Sequence, residues 1–146
     1  MMKKRNPARM RYTADSRSAW LCYFSILCCI AYFIAVYSSN TIAPDVRMGV
    51  DVVANIVFML AIFWASEMVK VYNRKWSVAL AGFGLVQIGR VFWLPVHYNE
   101  LEQLVDGSYV FVCATLAASG VFLLLAAALS FSNSTLLKKY LDSQSM

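Results

Sequence analysis

Apolar residues run along this chain in four long stretches separated by short polar intervals. The stretches cover about residues 18–38, 49–72, 76–97 and 109–131. As helices, each is long enough to cross a hydrocarbon core of about 30 Å. The intervals between them are short, which favours antiparallel neighbours. The pattern therefore predicts an all-α polytopic membrane protein, a four-transmembrane-helix up-down bundle. It divides into a basic arm over 1–17, a membrane domain over 18–132 and a polar tail over 133–146.

Polar positions inside the spans are few, and their spacing is informative. In the second span Asp51, Asn55 and Ser66 fall within about 60° of one another at 100° per residue, with Phe58 and Ile62 between them. Glu67 lies roughly opposite that stripe, one turn before Lys70, and the two are expected to pair. In the third span Gln87 and Arg90 share one face, while Ala79, Gly82, Val86 and Gly89 make a face of small residues. The fourth span has no Asp, Glu, Lys, Arg or His, and its one thiol is Cys113. It carries the pairs Ala114/Ala118 and Thr115/Ser119, with Gly120 beside them. Lipid provides no hydrophobic drive for helix association, so close backbone contact is expected at Ala79, Gly82, Gly89, Ala114, Ala118 and Gly120.

Depth limits what Arg90 can meet. It lies about 5 Å beyond the middle of its span, toward the third connection. A guanidinium near the bilayer centre costs about 2.5–3.5 kcal/mol on insertion scales, so it needs polar company. Glu67 is about 10 Å on the wrong side of its own midpoint, whereas Asn55 and Asp51 lie about 7 and 13 Å on the right one. The spacing predicts a polar cluster of Arg90, Asn55, Asp51 and Gln87 that clasps the second and third spans into a tight hairpin. Such a cluster either pins the hairpin or docks a partner helix or anionic ligand.

Composition agrees with this reading: of 146 residues 60% are hydrophobic and 14% charged. The net charge of +5 suggests nucleic acid until its placement is considered. Lys3, Lys4, Arg5, Arg9, Arg11 and Arg17 precede the first span, Lys70, Arg74 and Lys75 flank the second connection, and Lys138 and Lys139 follow the fourth. The other two connections hold Arg47 against Asp45, Glu100, Glu102 and Asp106. The asymmetry predicts cytoplasmic termini, membrane lipid as the partner of the basic groups, and no nucleic acid. The sequon Asn133-Ser134-Thr135 would then face the cytoplasm. The first span is longer than a signal-peptide core and lacks a small-residue cleavage site, so a retained helix is expected, in a bacterial plasma membrane.

Candidate chemistry is thin. Cys22, Cys28, Cys29 and Cys113 all fall inside spans and read as small apolar residues; Cys28-Cys29 lacks the spaced thiol pair of a disulfide-forming enzyme. His97 with Glu100 and Glu102 reads as a solvated loop rather than a metal site. Gly82-Phe83-Gly84 lies inside a continuous apolar helix, not a re-entrant filter loop. No phosphate loop, catalytic set or cofactor motif occurs. The expectation is a non-enzymatic subunit assembling into a larger membrane complex, a transporter or an energy-converting machine, with other membrane subunits or copies of itself as partners. The alternative is a small homo-oligomeric transporter or channel lined by the polar stripe of the second span.

Overall fold

The computed structural model describes residues 13–37, 46–100 and 106–144, with side chains over 13–37, 49–93 and 109–144. The basic arm up to residue 12 and the His97, Glu100 and Glu102 side chains lie outside that set. Four helices form: α1 (Ser16–Tyr37), α2 (Val46–Lys70), α3 (Arg74–Glu100) and α4 (Asp106–Gln144). Each contains a segment long and apolar enough to cross a membrane. They pack as a ring, α1 on α2, α2 on α3, α3 on α4 and α4 on α1. The protein is an all-α, four-helix, multi-pass membrane bundle.

Its surface and interior are inverted relative to a water-soluble protein. Leu27, Val53, Leu60, Trp64, Leu85 and Val121 point outward on all four helices, while Ser18, Ser25, Asn55, Ser66, Ser77, Gln87, Ser119 and Ser130 are buried. A soluble monomer rarely exposes so large an apolar surface; in lipid it costs nothing, and the backbone is satisfied within each helix. Between the polar groups the interior is filled by two apolar clusters. Ile62, Val69, Leu80 and Leu123 fill the half nearer the basic end. Tyr32, Val36, Val112 and Leu116 fill the half nearer the acidic end.

The buried side of α1 repeats every three to four residues: Ser18, Cys22, Ser25, Cys29, Tyr32, Val36. That 3.5-residue spacing keeps one seam facing the bundle over the whole helix. The turn after α2 is also set locally. Tyr72 donates its backbone N–H to Val69 O (3.0 Å) and takes a left-handed conformation (φ 58°). Asn73 Oδ1 then accepts from Lys75 N (3.1 Å) and caps the next helix. Hence α2 ends at Lys70 and α3 begins at Arg74, against the expected Tyr72 and Trp76.

Two expectations need correction. The fourth helix does not end near Phe131: α4 runs unbroken for 39 residues, about 58 Å. Hydropathy falls after Phe131, but neither Gly nor Pro follows to stop the helix. The second and third helices are not a tight hairpin either, for theirs is the least extensive of the four helix contacts and α3–α4 the most extensive. Close approach occurs at Gly84 and Gly120. A Cβ on Gly120 would sit 2.6 Å from Ile88 Cγ1 and 3.1 Å from Gly84 O. A Cβ on Gly84 would sit 2.9 Å from Leu124 Cγ. Gly82 and Gly89 take no part: both are exposed, and a Cβ on either meets nothing within 4 Å. Two residues apart on a helix is about 200° of rotation, so Gly84 faces the bundle and Gly82 faces away. On α4, Ala114 is exposed and Ala118 half-buried, leaving Gly120 as the contact.

At the basic end the helices are tied by Asp15. It precedes α1, accepts from Ser18 Oγ and from Asn133 Nδ2 (2.8 Å each), and donates its backbone N–H to Lys70 O (3.1 Å). The sequon asparagine is thus engaged in joining α4 to α1.

Candidate functional site

Arg90 projects from α3 at a level fixed by its neighbours. Asn55 lies about 7 Å and Tyr32 about 8 Å from the middle of their own spans, both toward the acidic end. Arg90 Nη2 donates to Asn55 Oδ1 (2.8 Å) and Nη1 to Gln87 Oε1 (3.2 Å). Two aromatic rings flank the guanidinium, Tyr32 at 5.4 Å and Phe58 at 5.9 Å from the ring centres. Positive charge over these ring faces is attracted by their quadrupoles, more strongly where water is excluded.

From Arg90 a polar line continues across the bundle. Gln87 Nε2 donates to Cys29 Sγ (3.3 Å), which lies 3.3 Å from Ser119 Oγ, itself 2.8 Å from Ser25 Oγ. The line joins α2, α3, α1 and α4. It then stops against Ile62, Leu80 and Leu123, which are fully buried. Beyond that layer the next interior polar contact is Ser77 with Ser130 (2.6 Å).

On its other side Arg90 opens onto a cleft of about 480 Å³ between α2 and α3. Asp51, Ala54 and Phe58 form one wall and Val86, Gly89, Arg90 and Trp93 the other. The cleft exists because this is the loosest helix contact: Gly89 has no side chain and Ala54 a minimal one. The exposed face of Gly82, Val86 and Gly89 runs directly into it.

The structure brings Arg90, Asn55 and Gln87 into hydrogen-bonding contact and places Asp51, a turn beyond Asn55, on the wall of the same cleft. Glu67 and Lys70 form an ion pair near the basic end. Tyr23 completes it, donating to Glu67 Oε1 and accepting from Lys70 Nζ (2.8 Å each). Sequence reasoning missed Tyr32, Tyr23 and the Cys29–Ser119–Ser25 line. The signal for Tyr32 and Cys29 was present in the three-to-four-residue spacing of weakly polar residues on α1. Tyr23 carried none, since its partners are 44 and 47 positions away. Among the described residues no set of three His, Cys, Asp or Glu side chains is placed to hold a metal. No protein-family model, curated protein or solved structure matches this chain, so the geometry of the bundle and its lateral cleft is what defines it.

Proposed function

We propose that this chain is a non-catalytic membrane subunit that helps hold a larger membrane complex together, receiving a transmembrane helix of a partner on the open side of α3. One observation carries the reading. Gly82, Val86 and Gly89 form an exposed small-residue face, and that face leads into a cleft where a half-buried guanidinium sits. Small residues allow two backbones to approach closely, the main source of helix association in lipid. Gly84 and Gly120 serve the bundle's own packing, and the opposite face of α3 is left uncovered by the described residues.

The channel alternative gains less support. The stripe of Asn55 and Ser66 on α2 faces the interior, where Ile62 lies between them, packed with Leu80 and Leu123. Ser66 Oγ bonds to the carbonyl of Phe63 in its own helix (2.7 Å).

The test is Gly82→Leu combined with Gly89→Leu in native membranes, followed by mild-detergent extraction and native sizing. Wild type is expected to migrate as a larger assembly and the double variant as a single folded chain with unaltered melting. A wild-type protein that runs as a lone monomer, or a double variant that stays in the assembly, would sink the reading.

A further inference from the structure

The groove between α1 and α2, near the basic end, carries charge on a surface that faces lipid. Glu67 and Lys70 pair there with side chains 44% and 30% exposed, and Tyr23 reaches across from α1 to join them. Both contacts to Glu67 use one oxygen: Oε1 accepts from the Tyr23 hydroxyl (2.8 Å) and from Lys70 Nζ. A carboxylate has two oxygens and about four lone-pair sites. Oε2 accepts from none of the described residues. An ammonium has three N–H donors. Lys70 directs two at described residues, Glu67 Oε1 and the Tyr23 oxygen (2.8 Å), and its Nζ lies 5.4 Å from the Tyr23 ring centre. The trio is satisfied among its own members and open outward at two points, one that accepts and one that donates.

Depth says what meets those two points. Lys70 ends the apolar segment Gly49–Lys70 of α2, about 16 Å from its middle, and Glu67 lies a turn inside it at about 11 Å. The hydrocarbon boundary is about 15 Å out, so the paired charges stand where headgroups begin. Beside them Trp20 is 61% exposed and edge-on to Tyr23 (ring centres 6.0 Å apart), and such amphipathic rings settle at headgroup level. A purely anionic headgroup is drawn by Lys70 and repelled by Glu67. A choline headgroup brings positive charge but no N–H to donate. An ethanolamine headgroup matches both points, its ammonium donating to Glu67 Oε2 and its phosphate accepting from Lys70. We infer that the Tyr23–Glu67–Lys70 trio is a binding site for the headgroup of phosphatidylethanolamine. The site lies on the α1–α2 groove, away from the outer face of α3, and does not rest on the docking function proposed above.

The full chain in a neutral detergent would be offered equal amounts of phosphatidylethanolamine, its N-methyl and N,N-dimethyl derivatives, phosphatidylcholine and phosphatidylglycerol, all with the same acyl chains. Native mass spectrometry reads which lipids stay bound. Phosphatidylethanolamine is expected to be retained about tenfold over phosphatidylcholine, with retention falling as methyl groups replace N–H bonds. Glu67→Leu, on a lipid-facing position, should bring that ratio to about one and raise phosphatidylglycerol, because Lys70 then has no carboxylate beside it. Lys70→Gln should lower all five lipids together, since all share the phosphate. Equal retention of phosphatidylethanolamine and phosphatidylcholine by wild type overturns the inference without any variant having to fold. So does a preference that survives in Glu67→Leu. Phosphatidylglycerol retained above phosphatidylethanolamine by wild type overturns it as well, since the basic end would then be acting as a plain positive surface.

Discussion

At the scale of single residues, Arg90 is the costly group, and its surroundings show how the cost is met. Burying a guanidinium in the membrane loses about 2.5–3.5 kcal/mol on insertion scales. Against this stand two amide acceptors at 2.8 and 3.2 Å and two aromatic rings within 6 Å. A ring under a partly desolvated cation contributes about 1–2 kcal/mol, and interhelical hydrogen bonds in bilayers average below about 1 kcal/mol. The sums balance only approximately, so Arg90 is tolerated here rather than being a source of stability. Arg90→Gln and Asn55→Leu, made singly and together, should show a coupling of about 0.5–1.5 kcal/mol when unfolding in detergent is followed by tryptophan fluorescence. A coupling indistinguishable from zero would mean that the 2.8 Å contact with Asn55 contributes nothing.

At the scale of helices, α3 is used on both sides. Its inner face, Ser77, Leu80, Gly84 and Gln87, is buried, and Gly84 lets α4 come close. Its outer face, Gly82, Val86 and Gly89, is covered by none of the described residues. Substitutions on the two faces should therefore differ in kind. Gly120→Ala puts a methyl group 2.6 Å from Ile88 Cγ1 and should cost about 1–3 kcal/mol of bundle stability, read as a lowered Tm in detergent. Gly82→Ala meets nothing within 4 Å and should leave Tm unchanged or slightly raised, Ala being the better helix former. Equal effects of the two would contradict the assignment of faces. The same distinction separates α2 from α4 as neighbours of α3, one held by a polar contact around a cleft, the other by backbone proximity.

At the scale of the molecule, polar groups are inside and apolar groups outside, and the described basic side chains other than Arg90 gather at one end. The basic end holds Arg17, Lys70, Arg74, Lys75, Lys138 and Lys139, tied together through Asp15 and Asn133. Arg74 also lies over the Phe131 ring (4.6 Å), which brings the start of α3 onto α4 there. If the positive side faces the cytoplasm, single cysteines at Lys75 and Lys139 in a cysteine-free background should resist an impermeant maleimide in intact cells. A cysteine at Glu102 should react under the same conditions. Labelling from outside at position 139 would reverse the orientation.

How far the residues alone reveal this depends on the range of the cause. Four spans follow from hydropathy because lipid imposes a fixed length on any stretch that crosses it. The contact between Arg90 and Asn55 follows from depth, because antiparallel helices with short turns hold their levels in register. What remained hidden depends on rotation about each helix axis. Gly82 and Gly84 are equally small, and no local feature says which of them meets α4. Tyr23 with Glu67 and Cys29 with Ser119 depend on neighbours from distant parts of the chain. The length of α4 was hidden for another reason: hydropathy reports where lipid ends, not where hydrogen bonding along a helix does.

The amino-acid sequence by itself determined that this is a bundle of membrane-crossing helices, how many spans it has and how deep its charged groups lie, because those depend on the solvent and on distance along the chain. Only the tertiary structure decided which face of each helix turned inward, that α4 packs along α1 and α3, and that a cleft opens beside Arg90. Those outcomes follow from packing among residues far apart in the chain, where the omission of a single side chain, as at Gly84 and Gly120, chooses one rotation over another.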